Sequence, residues 1–99
     1  MNSYSLLDTN KTNDALLHLK SLAHPTRVKF LNLLLKNEQL TFDDFQIAFP
    51  DFNKELITRH LNVLFNDNLI EKDTFGTEVT YQAQQEKIEK IWDLVRQFS

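Results

Sequence analysis

The chain has no cysteine, one glycine and two prolines among its 99 residues. Without a thiol there is no disulfide framework, no thiolate metal site and no cysteine nucleophile, and such a composition fits a reducing cytoplasm. The opening stretch MNSYSLLDTNKTND lacks the basic start and apolar run of a secretory leader, and no apolar stretch is long enough to span a bilayer. We therefore expect a cytoplasmic protein with no membrane partner. An excess of positive charge is missing too: the formal net charge is −3 and the pI near 5.5, which counts against non-specific nucleic-acid binding. There is also no glycine-rich phosphate loop and no serine set with histidine and an acid in a recognisable motif, so no enzyme is expected.

What remains is 41% hydrophobic residues with eight phenylalanines. That is enough for one small core, in a size range where oligomerisation often adds stability. The phenylalanines either fill this core or line a pocket for an apolar ligand. Charge is uneven along the chain. Residues 20–72 hold Lys20, Arg27, Lys29, Lys36, Lys54, Arg59 and Lys72 against Glu38, Asp43, Asp44, Asp51, Glu55, Asp67 and Glu71, so the middle segment is neutral.

Residues 1–12 are polar and are expected to form a flexible arm, with the folded domain occupying residues 13–99. A first helix over about residues 13–22 carries Leu16, Leu17, Leu19 and Leu22 around most of its circumference. The sequence leaves open whether all of this serves the core or part of it faces a second subunit. His24-Pro25-Thr26-Arg27 starts a second helix, because proline fits the first helical position, where its missing N–H would have no partner. Val28, Phe30, Leu31, Leu34 and Leu35 are its buried face, and Asn37 is expected to end it in a left-handed conformation. Thr41 and Asp44 have the spacing of a capping box for a short helix with Phe45, Ala48 and Phe49 inward.

Pro50-Asp51-Phe52 turns the chain, and Asn53 caps the segment NKELITRHLNVLF. At helical spacing, Ile57, Leu61 and Leu64 form a buried stripe opposite Glu55, Thr58, Arg59 and Asn62. Such a polar stripe is a solvated face or a reading head. Threonine, asparagine and arginine favour the latter, being short or fork-shaped groups that reach base edges in a major groove. Two short helices across a tight turn, the second polar on its outer face, make a helix-turn-helix.

Asn68 is expected to end this helix in the left-handed region. Leu69 to Asp73 and Glu78 to Gln82 then alternate as a strand pair around Gly76, a hairpin that reads as a wing. Gln84 to Phe98 closes the chain as an amphipathic helix with Ile88, Ile91, Trp92, Val95 and Phe98 on one stripe. With core already supplied by the preceding helices, this stripe and the first helix are expected to meet a second copy. The alternative is packing within the chain.

The segments LKSLAHPTRVKFLNLLL and NKELITRHLNVLFNDNLIEK resemble the second helix, recognition helix and following strand of the ArsR-type winged-helix repressors, over about Ala15 to Trp92. The resemblance implies a mainly α fold with a small β-hairpin, a winged helix-turn-helix of about five helices plus the wing. It also implies a homodimeric transcriptional repressor that binds double-stranded DNA at an imperfect inverted repeat and leaves it when an effector binds. On the resemblance, Asn53 sits at the family's capping position and Lys54, Glu55, Thr58 and Arg59 where it reads DNA; Asn62 of the same polar stripe and Lys72, Thr74 and Thr77 of the wing are expected to join them. Dimer contacts are carried over to Leu16, Leu19, Ile88, Ile91, Trp92, Val95 and Phe98.

Two positions depart from the family pattern: Leu56 replaces a small polar residue and Asn68 a glycine. The thiolate metal site of many relatives would fall at Thr41, Asp43 and Asp44. Their C-terminal-helix site would begin at Gln85 and Lys87, groups that cannot replace a carboxylate and an imidazole. His24 and His60 match scaffold positions, and His18 stands alone on the first helix. No metal and no cofactor is expected, and any effector is of a non-thiolate kind. A reading of another class stands beside this one: a winged-helix protein-interaction module without specific DNA binding, which the acidic balance and the poorly basic wing would suit.

Overall fold

The fold is built on a helix that begins where proline can begin one. In the computed structural model, which describes residues 22–97, Pro25 occupies the first turn of α1, Pro25–Leu35. Phe30, Leu31 and Leu34 are its buried face. Lys36 caps the helix in a right-handed conformation, and Asn37 is not left-handed as expected. Its side-chain amide instead donates to the Leu33 carbonyl at 2.7 Å, which satisfies one of the end carbonyls without a strained backbone.

A two-residue strand, β1 (Leu40–Thr41), leads directly into α2, Phe42–Ala48. The expected capping box is present in both directions: the Asp44 N–H donates to Thr41 Oγ1 at 3.1 Å, and the Thr41 N–H to Asp44 Oδ2 at 2.9 Å. Phe45 is buried and Phe49 half-buried, but Ala48 is exposed, a correction to its expected inward position. The helix ends at Ala48, and Phe49 rather than Ala48 turns back to the core, its ring 4.7 Å from that of Phe30.

After the turn comes α3, Lys54–Asn66, and then β2, Ile70–Phe75, β3, Glu78–Ala83, and α4, Gln85–Gln97. The strands form one antiparallel sheet in the order β1-β3-β2. Thr41 pairs with Thr80, and Lys72 with Tyr81. The wing is thus a hairpin whose base is widened by β1, a strand too short to carry an alternation signal. Positive φ is found as expected at Asn68 (φ 61°) and Gly76 (φ 62°), though not at Asn37.

Four helices lie among the described residues. The expected first helix, with Leu16, Leu19 and His18, lies outside them except for Leu22, as do the arm of residues 1–12 and Phe98. The core joins Phe30, Leu31 and Leu34 of α1 with Phe45 of α2 and Ile57, Leu61 and Leu64 of α3. Leu22, Leu69, Ile70, Tyr81, Ile88 and Ile91 complete it. No helix among the described residues is long and apolar enough to cross a membrane.

Candidate nucleic-acid interface

The local chemistry of α3 fixes its position before any partner is considered. Asn53 stands at its N-cap and accepts the Leu56 N–H on Oδ1 at 2.8 Å. Ile57 and Leu64 are fully buried and Leu61 is 1% exposed. Each such side chain contributes about 1.5–3 kcal/mol on burial, so the rotation of the helix about its axis is set by its apolar side. The Leu69 N–H reaches back to the Leu64 carbonyl at 2.9 Å, across the left-handed Asn68. This is the hydrogen bond that turns the chain from the helix into the wing.

With the apolar side fixed, the polar side faces outward. Asn53, Lys54, Glu55, Thr58, Arg59 and Asn62 are all exposed. All but Asn53 line one shallow surface together with Val63 and Asn66. Neither Val63 nor Asn66 is among the contacts expected from sequence. Their signal was available, since Val63 stands four residues after Arg59 and Asn66 four after Asn62. Leu56 is half-buried, between the two faces. The surface carries two cations against one carboxylate, Glu55, in contrast to the acidic chain as a whole.

His60 is 3% exposed and packs toward α1. Its Nδ1 accepts from Arg27 Nε at 3.4 Å, so the ring proton of the neutral form sits on Nε2. The His24 ring meets it edge-on at 4.6 Å, and Phe30 lies 5.8 Å away. Burial, followed by the charges of His24, Arg27 and Arg59, holds the His60 pKa below its ordinary value of 6.5. His60, on the inward side of α3, thus meets His24 at the N-cap of α1. Among the described residues no group of three His, Asp or Glu side chains comes together.

The wing places Lys72, Thr74 and Thr77 at exposed positions. Lys72 turns toward α3, its Nζ 4.3 Å from the centre of the Phe65 ring. On the other face of the hairpin, Gln82 Nε2 donates to Asp73 Oδ2 at 2.7 Å and Gln84 Nε2 to Glu71 Oε1 at 2.6 Å. These amide bridges fasten the two strands at two successive steps. On α4, Ile88 and Ile91 are closed within the core of the single chain, while Trp92 is only half-buried against it. Val95 is carried by the same helix, one turn on from Ile91.

A short helix, a tight turn, an outward-facing second helix and a hairpin directly after it define a winged helix-turn-helix protein. Comparison with solved structures narrows the class. The chain superposes on an ArsR-like transcriptional regulator from Rhodococcus sp. RHA1 with a TM-score of 0.76, at 20% identity over 90% of this chain and 82% of that one. Reduced HlyU from Vibrio cholerae N16961 matches with a TM-score of 0.72, at 23% identity over 95% and 97% of the two chains. The transcriptional repressor PagR of Bacillus anthracis matches with a TM-score of 0.73, at 24% identity over 88% and 98%. The fold is that of the ArsR-type winged helix-turn-helix regulators. No family model and no curated protein matches the sequence.

Proposed function

We propose that the chain is a sequence-specific, DNA-binding transcriptional regulator working as a homodimer. The observation that carries this reading is the outward face of α3, where Lys54, Glu55, Thr58, Arg59 and Asn62 share one surface while Ile57, Leu61 and Leu64 hold the helix from behind. A dimer sets two such helices in successive major grooves, about one helical turn apart, and so reads an imperfect inverted repeat. Arg59 supplies a fork for a guanine edge or a phosphate, and Thr58 and Asn62 reach base edges or backbone. Lys54 lies in the first turn of α3, where it meets phosphate, and Glu55 accepts from a cytosine amine. Lys72, Thr74 and Thr77 are the wing contacts.

Dimer contacts are assigned to Leu16, Leu19, Trp92, Val95 and Phe98. Ile88 and Ile91 serve chiefly as the footing of α4, because they are spent on the chain's own core. The action is repression, as the name of PagR records for that protein, relieved by an effector that needs no thiol. The test is footprinting of the purified protein on the DNA upstream of its own gene, with and without candidate metals and small molecules. A protected, two-fold symmetric site whose affinity falls steeply with salt is expected. Failure to bind any genomic fragment at low salt would instead favour the second reading, a protein-interaction module. That reading draws on a wing with Glu71, Asp73 and Glu78 against Lys72 alone.

A further inference from the structure

Between the wing tip and the start of α2 lies an open groove of about 610 Å³, on the side of β3 away from β2. Its floor is apolar: Phe42 and Val79 are half-buried, and Tyr81 is 9% exposed. A carboxylate stands on either element that walls it, Asp43 from α2 and Glu78 from β3, both exposed. Neither side chain has a hydrogen-bond or ion-pair partner among the described residues. At the tip, Phe75 pairs across the hairpin with Glu78 and is 72% exposed. The wing's one cation, Lys72, is turned to Phe65 of α3.

Phosphate is the wrong partner for such a surface, since two uncompensated carboxylates and an exposed ring repel or ignore it. An arginine or lysine flanked by apolar residues suits it on every count. The aliphatic stem lies on the Phe42 and Val79 floor while the charged head stays at the rim. The head pairs with Asp43 and Glu78, and a neighbouring cation can stack on the face of Phe75. We propose that this groove is a docking surface for a basic, apolar-flanked segment of a protein partner. The surface is separate from the α3 face and does not depend on that face reading DNA.

The experiment is an amide-resonance titration of the full chain with a synthetic peptide alternating arginine and leucine, with an alternating glutamate-leucine peptide and with a short DNA duplex. The basic peptide should shift resonances concentrated at Asp43, Phe75, Glu78 and Val79, and the acidic peptide should shift none of them. The doubly substituted Asp43→Asn, Glu78→Gln chain should bind the basic peptide about fivefold or more weakly, the loss of roughly one exposed ion pair's worth of affinity. Phe75→Ala should weaken it further. The proposal is overturned by no binding, by equal affinity in the double variant, or by shifts centred on the acids of α4, Glu86, Glu89 and Asp93. Movement of Phe42, Asp43 and Val79 with the duplex rather than the peptide overturns it as well, Thr77 being left out of this comparison because it lines the groove and is also assigned to DNA.

Discussion

The ammonium of Lys72 lies 4.3 Å from the centre of the Phe65 ring, joining the first strand of the wing to the last turn of α3. Phe65 is 40% exposed, so the ring is not a core residue that happens to have a charged neighbour. A cation over an exposed ring is worth about 0.5–1 kcal/mol. Both Phe65→Ala and Lys72→Met should destabilise the chain in urea by about that amount. The double variant should cost less than the sum of the two. Strict additivity in the cycle would show that the contact carries no energy.

Arg59 is the second case. It is exposed on the outward face of α3, next in sequence to the buried His60, so its removal leaves the core untouched. Arg59→Ala should leave the unfolding free energy within the ordinary scatter of surface substitutions, about ±0.5 kcal/mol. It should cost about 1–3 kcal/mol in operator binding if the guanidinium reads a base. Urea unfolding gives the first number, and fluorescence anisotropy on the footprinted site, compared with a scrambled duplex, gives the second. Equal binding by the variant and the parent would remove Arg59 from the site.

Why Arg59 was legible in the sequence while other features were not has a physical basis. The period of α3 is written in residues that differ sharply in hydropathy, Ile57 and Leu61 against Thr58 and Asn62, so the outward face follows from 3.6 residues per turn. The capping box at Thr41 and Asp44 and the turn at Gly76 are short-range signals, and both are found as read. β1 was missed because two residues carry no period, and its existence depends on Tyr81 and Thr80 offering a strand edge forty residues away. Ile88 and Ile91 were expected to face a second copy. Sequence shows the stripe but not how much of the core remains open to receive it. The Phe65–Lys72 contact is likewise tertiary, invisible until the wing folds back on α3.

The left-handed Asn68 makes a prediction about the joint between α3 and the wing. A non-glycine residue at φ 61° is tolerated when it is asparagine, and poorly when it is branched at Cβ. Asn68→Val should destabilise by about 1–2 kcal/mol, with the hydrogen bond from the Leu69 N–H to the Leu64 carbonyl weakened. Asn68→Gly, which accepts the same backbone, should be close to neutral, its gain in the folded state offset by a freer unfolded chain. Urea unfolding of the two variants separates backbone strain from side-chain chemistry. Equal losses in both would place the cost in the asparagine side chain instead.

His60 couples the packing of α3 on α1 to pH. In the folded chain its pKa is held below 6.5 by burial first and then by the positive charges of His24, Arg27 and Arg59. The unfolded chain therefore binds this proton more readily than the folded one, and stability rises with pH across the window between the two values. The contribution is fully present above pH 6.5, is lost as pH falls toward the lower folded-state value, and changes no further below it. Protonation also turns Nδ1 from acceptor to donor, which sets it against Arg27 Nε instead of pairing with it. Urea unfolding at a series of pH values from about 7.5 downward should show this decline in the parent chain. The slope just below pH 6.5 should be smaller in His60→Gln, which cannot take up a proton. The same slope in both chains would assign the pH dependence to other groups, and His60 would then be a packing residue alone.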